Sequence, residues 1–312
     1  MPTEVTVENF VRAESDRMFA SFAAMAGGVN RLHHIRVPTP VEEQTVIRMN
    51  RDTLYSAAVV DLADGAAVTI PGAGDRYVSV MVVNQDHYIN RVLHEPGEHA
   101  LALDEFGTRW VAVAARVLVD PASADDVKAV NDLQDRFAIT AGSATAFEMP
   151  EYDTASLDAT RKALLELARG LKGFDGAFGS AEQVDPIRHL IGTAAGWGGL
   201  PPAEARYLNV EPHLPVGAYE LTVRDVPVDG FWSVSLYNAE GYFEPNPQGA
   251  YSVNNLTGAR DADGAITIRF GGDPGAPNAL PIVDGWNYVV RLYRPRPEIL
   301  DGSWTFPEIA AD

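Results

Sequence analysis

The stretch "WNYVVRLYRP", residues 286–295, decides the fold of the C-terminal part of the chain. In an extended strand, successive side chains point to opposite faces of the sheet. The two faces carry Trp286, Tyr288, Val290, Leu292 and Arg294 on one side, and Asn287, Val289, Arg291 and Tyr293 on the other. A buried guanidinium needs an acceptor. We therefore expect Arg291 either to pair with an inter-domain carboxylate or to bind a ligand.

Similar strand-like runs precede this stretch and are separated by turn sequences. They are "GAYELTVRDV" at 217–226, "FWSVSLYN" at 231–238 and "GAITIRFGG" at 264–272. Segments rich in Gly, Pro and Asp, such as "GGDPGAPN", connect them, and no helical pattern intervenes. Short strands with regular turns predict an antiparallel β-sandwich or a jelly roll. We place this domain at residues 196–312.

The first part of the chain mixes helical and strand patterns. Helical periodicity covers 7–25, 123–138 and 157–171, while "AAVTI", "RYVSVMVVN" and "RWVAVAARVLVD" read as strands. Apolar residues on both faces of 76–84 predict a central strand, and the Gly-rich residues 170–202 predict connections. The predicted fold is therefore α+β. A mixed α/β-sheet domain at 1–195, with a helical segment at 123–190, packs on the C-terminal sandwich.

The composition excludes several classes of function. The chain has 312 residues, a formal net charge of -19 and no cysteine. Because phosphate binding needs clustered Lys and Arg, we expect no nucleic-acid partner, and the same charge disfavours an anionic membrane surface. Without cysteine, disulfides, thiolate nucleophiles and cysteine-ligated metals are excluded. No signal-peptide pattern and no membrane-spanning apolar run occurs, so we expect a soluble cytoplasmic protein.

A first polar cluster, "RMNRDTLYS" at residues 48–56, stands directly before an apolar run. On a strand, Arg48, Asn50 and Asp52 would share one face. One interpretation is structural, because an arginine and a carboxylate on the same face can fix a buried polar network. The other is functional: Arg48 or Arg51 binds an anionic group while Asp52 or Tyr55 handles a proton.

A second polar cluster, within "VNQDHYINRVLHEPGEH" at 83–99, follows a predicted buried strand. Polar residues at the end of such a strand are frequent places for sites. His87 is either a general base or a hydrogen-bonded structural histidine. His94 and His99 flank a Pro-Gly turn and do not match the spacing of known metal sites. We therefore predict neither a metal nor a cofactor.

Two ordered series of motifs resemble a widespread bacterial two-part family. "FWSVSLYNAEGYFEPNPQGAYSVNN", "DADGAITIRF" and "NALPIVDGWNYVVRLYRPRP" resemble domain of unknown function 1214. "NRDTLYSAAVVDL" with "DRYVSVMVVNQDHY" resembles its usual N-terminal companion, domain of unknown function 1254. The resemblance implies an N-terminal α+β part followed by a C-terminal β-sandwich, and it implies no reaction. This chain has "NALP" where the family pattern more usually has Asn-Trp-Leu-Pro.

These residues favour a cofactor-independent hydrolase or lyase acting on a small polar or aromatic organic substrate in a pocket between the domains. The predicted catalytic residues are Asp52, Tyr55, Asp86 and His87. The predicted substrate-binding residues are Arg48, Asn50, Asn84, Tyr88, Trp232, Tyr237, Arg291 and Tyr293. The alternative is a carbohydrate- or ligand-binding β-sandwich protein without catalysis, whose aromatic rings stack on the ligand. The expected partner is a small molecule, and self-association into a homo-oligomer is left open.

Overall fold

Helices and mostly antiparallel sheets make up the structure, a computed structural model that describes residues 1–44, 47–171 and 173–311. The helices are α1 (Phe10–Ala26), α2 (Leu103–Phe106), α3 (Ala124–Gln134), α4 (Thr154–Ala168), α5 (Pro186–Gly196) and α6 (Pro297–Leu300). The strands are β1 (His33–His34), β2 (Thr53–Asp61), β3 (Ala66–Ile70), β4 (Val78–Asn84), β5 (Ile89–Leu93), β6 (Gly97–Leu101), β7 (Trp110–Leu118), β8 (Ala138–Ala141), β9 (Ala205–Val210), β10 (Ala218–Val223), β11 (Trp232–Tyr237), β12 (Ser252–Asn254), β13 (Ile266–Gly271), β14 (Ala279–Leu280), β15 (Asn287–Tyr293) and β16 (Ala310–Ala311). The predicted α+β class is confirmed. No helix among the described residues is long and apolar enough to cross a membrane.

The chain divides into two compact units, and each is built from separate segments. Unit 1 comprises Met1–Arg36, Tyr55–Val117 and Ala129–Pro202, and unit 2 comprises Val37–Leu54, Leu118–Lys128 and Ala203–Asp312. The sequence patterns predict a single domain boundary at 195/196. The observed division differs from it, because residues 37–54 and 118–128 fall in unit 2. The Gln44 side chain, for example, bonds the backbone of Phe243, and the backbone N–H of Val119 donates to the backbone carbonyl of Asp52.

Unit 1 contains a sheet with the strand order β1-β2-β7-β4-β5 and a smaller sheet with the order β6-β3-β8. All seven residues of β4 are buried, and β4 lies between β7 and β5. The apolar residues on both faces of residues 76–84 therefore did predict an interior strand. Polar residues follow β4 directly, which places the second polar cluster in unit 1.

Three helices of unit 1 share a core. Phe10 and Ala13 of α1, Leu157 of α4 and Ile191 of α5 belong to one buried cluster. Helix α4 begins at Thr154, three residues before the predicted start, because the Asp153 side chain accepts a hydrogen bond from the Ser156 N–H and caps the helix. The first apolar residue of a periodic pattern is thus a poor marker for a helix start.

Helix α5 lies in the Gly-rich segment that was predicted to form connections, and that prediction is wrong. Asp185 caps the helix by accepting from the N–H groups of Ile187 and Arg188, and Pro186 occupies the first turn. A Cβ on Gly192 would lie 2.8 Å from the Cβ of Ala177. The glycine therefore allows the helix to approach its neighbour closely, which outweighs its low helix propensity.

Unit 2 contains two four-stranded sheets with the orders β14-β13-β10-β16 and β12-β11-β15-β9. The strands pair antiparallel except for β13 with β14. Both sheets contribute to one buried core, with Leu221 of β10, Ile268 and Phe270 of β13, Val234 of β11 and Val290 of β15. The opposite face of β11 and β15 carries the polar residues that were predicted to form a site.

Candidate functional site

The β12-β11-β15-β9 sheet of unit 2 has one polar face. Residues that pair directly across strands share a face, and the register pairs Ser233 of β11 with both Asn254 of β12 and Arg291 of β15. Ser235 and Tyr237 follow on the same face of β11. All five side chains are buried. Buried polar groups of this kind must find hydrogen-bond partners.

Arg291 is the centre of this polar face. Its Nη1 donates to Ser235 Oγ at 2.8 Å, and its Nη2 donates to the Arg48 carbonyl at 2.7 Å and to the Tyr237 hydroxyl at 2.8 Å. Burial alone would lower the pKa of Arg291, but the neighbouring Tyr237, Tyr293 and Asp52 raise it, so the guanidinium is charged. Arg291 therefore pairs with backbone and hydroxyl acceptors of its own unit.

Residues 48–52 complete the network. The Tyr237 hydroxyl donates to the Met49 carbonyl at 2.8 Å, and Asn50 Nδ2 donates to the Tyr293 hydroxyl at 3.0 Å. Burial raises the pKa of Tyr237 even though Arg291 lowers it, which keeps the hydroxyl a donor. Arg48 adopts a positive φ of 52° and its guanidinium reaches Glu211 at 3.3 Å. The predicted site residues Arg48, Asn50, Tyr237, Arg291 and Tyr293 are thus brought together in unit 2.

Asp52 lies in the same network and is fully buried. Its Oδ1 accepts from Ser252 Oγ and from Asn254 Nδ2, each at 3.2 Å. Its Oδ2 and the Ser233 Oγ are buried atoms without a hydrogen-bond partner among the described residues. An unused carboxylate oxygen near a charged guanidinium can accept a hydrogen bond from a water molecule, and it could accept one from a substrate hydroxyl only if the residues that bury it moved apart.

The other face of the same sheet borders a pocket of about 560 Å³. Trp232 lies on this face, 5% exposed, with its ring edge-on to Phe306. It is therefore separated from the polar face that holds Arg291, and the sequence did not distinguish these two sets of residues. The pocket is lined by β9 residues Arg206, Leu208 and Val210, by β15 residues Tyr288, Val290 and Leu292, and by the segment 299–309.

The predicted residues after β4 form a tight turn in unit 1. The Asn84 side chain accepts from the N–H groups of Asp86 and Tyr88 and donates to the Phe106 carbonyl. Asp86 forms an ion pair with Arg12 at 2.5 Å, with 41% of each side chain exposed. The Tyr88 ring stacks on His189 with a centroid distance of 4.8 Å. Asn84 therefore stabilises the turn, and Asp86 stands at the surface of the unit.

His87 is fully buried at the centre of this turn and has a positive φ of 60°. Its Nε2 accepts from the Gly198 N–H at 2.9 Å, and its Nδ1 lies 2.8 Å from the Thr193 hydroxyl. Burial and the nearby His189 lower the pKa of His87 to about 3, so the ring is neutral. The predicted role as general base would require one of these two bonds to break.

The last predicted catalytic residue, Tyr55, also lies in unit 1, with the Arg116 guanidinium 5.6 Å from its ring centroid. Asp52, Arg48 and Asn50 belong to unit 2, whereas Tyr55, Asn84, Asp86, His87 and Tyr88 belong to unit 1. Convergence of the two sets on one pocket stays a prediction. Within the described ranges, no group of three or more His, Cys, Asp or Glu residues could hold a metal ion.

Sequence reasoning missed the residues that hold Asp52 and those that form the pocket. Ser252 and Asn254 belong to a three-residue strand too short to show alternation. The pocket segment contains Trp304 and Phe306, but residues 304–306 form neither a helix nor a strand, so no periodic pattern marked them. The pairing of β9 with β15 was not visible either, because neighbours in a sheet come from distant parts of the sequence.

Two family profiles match the chain. The profile described as Protein of unknown function (DUF1254) matches residues 29–100, and the one described as Protein of unknown function (DUF1214) matches residues 211–297. Both matches agree with the resemblance found from the motifs. No curated protein matches the chain.

Two crystal structures share the fold. A protein from Vibrio parahaemolyticus is 17% identical with a TM-score of 0.74, and the alignment covers 98% of this chain and 97% of that one. An uncharacterized protein from Burkholderia cenocepacia is 15% identical with a TM-score of 0.51, covering 97% of this chain and 87% of that one. At these identities the similarity concerns the fold alone.

Proposed function

We propose that unit 2 of this protein binds a small organic molecule with an apolar body. The chain belongs to the bacterial family that combines DUF1254 with DUF1214, and the descriptions of both parts state no activity. The proposal is therefore argued from unit 2 itself. The proposed site is the pocket lined by β9, β15 and residues 299–309. The two sheets of unit 2 act in this proposal as the layers of a jelly-roll-like β-sandwich that holds the ligand at one edge.

The pocket itself is the observation that carries the proposal. Its volume of about 560 Å³ falls in the range of roughly 300–1,000 Å³ found for small-molecule sites. Well-packed interiors leave few voids larger than a water molecule. The accessible surface of the pocket comes from exposed and half-buried lining residues such as Leu208, which is 38% exposed, while Val290 and Leu292 lie packed beneath them at 0% and 1%. An open space of this volume is better explained by a ligand than by loose packing.

The lining supports an apolar body over a sugar. Aliphatic and aromatic side chains dominate it, including Leu208, Ile299, Trp304 and Phe306. A sugar needs many hydrogen-bond partners, since each buried hydroxyl without one is costly. Arg206 and Glu308 are the charged residues of the lining. This supports the ligand-binding alternative from the sequence, with a less polar ligand than a carbohydrate.

The test is titration with the neutral fluorophore N-phenyl-1-naphthylamine, whose emission rises in apolar surroundings. We expect saturable binding with one site per chain. Leu208→Trp, which adds bulk at the pocket, should weaken binding at least tenfold. Asn209→Trp is the matched control, because the neighbouring residue of β9 points to the other face of the sheet. The proposal fails if the fluorophore does not bind saturably, or if both variants bind it as well as the original protein.

A second candidate function is cofactor-independent hydrolase or lyase chemistry that uses Asp52 as a general base. The observation that favours it is the buried Asp52 Oδ2, which has no hydrogen-bond partner among the described residues. For the hydrolase case, p-nitrophenyl butyrate is a suitable probe. Asp52→Asn should abolish any hydrolysis above buffer, while Asp225→Asn, at an exposed loop, should retain it. Equal rates for the two variants, or no hydrolysis by the original protein, would rule out this activity.

A further inference from the structure

The register of β9 and β15 gives the pocket a direction. Arg206 pairs with Leu292, Leu208 with Val290, and Val210 with Tyr288. Alternate residues of a strand lie about 6.8 Å apart, so the Arg206 and Val210 ends are roughly 13 Å apart. The pocket is therefore an elongated slot along two strands, and its two ends carry different residues.

One end of the slot is basic. Arg206 is a half-buried residue of β9 that lines the pocket. An arginine side chain is charged at all ordinary pH values and its fork of N–H groups matches the geometry of a carboxylate. The middle of the slot, at Leu208 and Val290, is apolar.

The other end of the slot is acidic. Glu308 acts electrostatically on Tyr288, and burial together with this carboxylate raises the pKa of Tyr288 to about 12. The Tyr288 hydroxyl is therefore protonated near neutral pH. A second negative charge on a ligand would meet the Glu308 carboxylate at this end, which is exposed. Like charges repel, and because solvent screens an exposed charge the repulsion should be strongest at low salt.

We infer that the slot binds an amphipathic monocarboxylic acid, with the carboxylate at Arg206 and the apolar chain along Leu208 and Val290 toward Tyr288. This inference rests on the proposed function, because it requires the pocket to be a binding site. To the proposed function it adds the polarity of the ligand, the orientation of the ligand in the slot and the exclusion of dicarboxylates. The length of the slot suits a straight chain or an extended ring system better than a compact molecule.

The experiment is displacement of N-phenyl-1-naphthylamine by three ligands of equal chain length. Decanoate carries one carboxylate, 1-decanol carries none, and decanedioate carries one at each end. We expect decanoate to displace the fluorophore at a concentration at least tenfold lower than either 1-decanol or decanedioate. Arg206→Gln should make decanoate displace the fluorophore no better than 1-decanol does, and it should leave the displacing concentration of 1-decanol unchanged. Glu308→Gln should lower the displacing concentration of decanedioate several fold.

The control is Arg269→Gln, which removes an arginine paired with Glu220 on the other sheet of unit 2. This variant should leave the displacing concentrations of all three ligands unchanged. If the fluorophore binds but decanoate and 1-decanol displace it equally well, the inference is overturned while the proposed function stands. The same holds if Arg206→Gln weakens both ligands equally. If the fluorophore does not bind the original protein, the proposed function itself is overturned and the inference with it.

Discussion

Residues 84–88 of unit 1 and residues 48–52 of unit 2 are both dense in polar side chains, yet they use them differently. In the first segment, both nitrogens of His87 and the side-chain amide of Asn84 have protein partners. In the second, Arg291 is satisfied by residues around it, but Asp52 keeps one buried oxygen without a hydrogen-bond partner among the described residues. A polar cluster in a sequence thus indicates a buried hydrogen-bond network. The number of hydrogen-bond partners of each buried polar atom then shows whether the network is complete or leaves an acceptor unused.

Removal of the central guanidinium should have the largest effect. Arg291→Met removes the donor to the Arg48 carbonyl and to the Tyr237 hydroxyl, which keeps its bond to the Met49 carbonyl, and it removes the buried cation near Asp52. We expect a loss of about 4 kcal/mol in the free energy of unfolding, measured by urea denaturation. Arg269→Met is the control, since a partly exposed pair such as that with Glu220 contributes below about 1 kcal/mol.

If Arg291→Met does not fold, Arg291→Lys keeps the charge and loses the forked geometry. It should fold with an intermediate loss of stability. Equal stability of Arg291→Met and Arg269→Met would show that the polar network of unit 2 contributes little.

The closed network of unit 1 can be broken at His87. Asparagine tolerates a positive φ better than most residues, so His87→Asn removes the ring without adding strain to the backbone at φ 60°. The Gly198 N–H loses its acceptor, the Thr193 hydroxyl loses the ring but keeps its bond to the His189 carbonyl, and a buried space is left. We expect a loss of about 3 kcal/mol in urea denaturation. His99→Asn, at a half-buried position of strand β6, should change stability by less than about 1 kcal/mol.

The pH dependence of stability sharpens the same contrast. The pKa of His87 is lowered from 6.5 to about 3 by burial and by His189. The unfolded chain therefore takes up a proton below pH 6.5, whereas folded unit 1 does not until about pH 3. This contribution to stability is complete above pH 6.5 and is lost progressively as the pH falls toward 3.

Between pH 7.5 and pH 5 this group should remove about 2 kcal/mol from the free energy of unfolding. The measurement is the free energy of unfolding of the original protein and of His87→Asn at both pH values. The drop between pH 7.5 and pH 5 should be about 2 kcal/mol larger in the original protein, because all other titrating groups are common to the two. An identical pH dependence of both proteins would contradict a neutral, buried His87.

The smallest effect is expected at the surface of unit 1. Arg12→Gln removes the ion pair with Asp86, in which 41% of each side chain is exposed. Because solvent screens such pairs, the loss should stay below about 0.5 kcal/mol and vanish at high salt. A loss above about 2 kcal/mol in urea denaturation would place Asp86 in the buried network after all.

The sequence revealed local features well and the distant partners poorly. Alternation in residues 286–295 correctly predicted which residues of β15 share a face with Arg291, because strand geometry depends only on neighbours in the chain. It could not predict that residues 37–54 join unit 2 or that Asn254 holds Asp52, since such pairing depends on the whole fold. Helix α5 was missed because its glycines serve close packing, which propensity does not describe.

One wall of the pocket is the stretch 299–309, which leads into β16, where among the residues described up to 311 Ala310 and Ala311 pair with β10. Because this ladder is so short, the wall depends on the packing of Phe306, Trp304 and Ile309 against the core of unit 2, and we expect it to open more often than unit 2 unfolds. We therefore expect the opening of the segment 299–309 to determine the residence time of a bound molecule. A peptide or tag fused after residue 312 would then act on ligand exchange even though it touches no atom of the pocket.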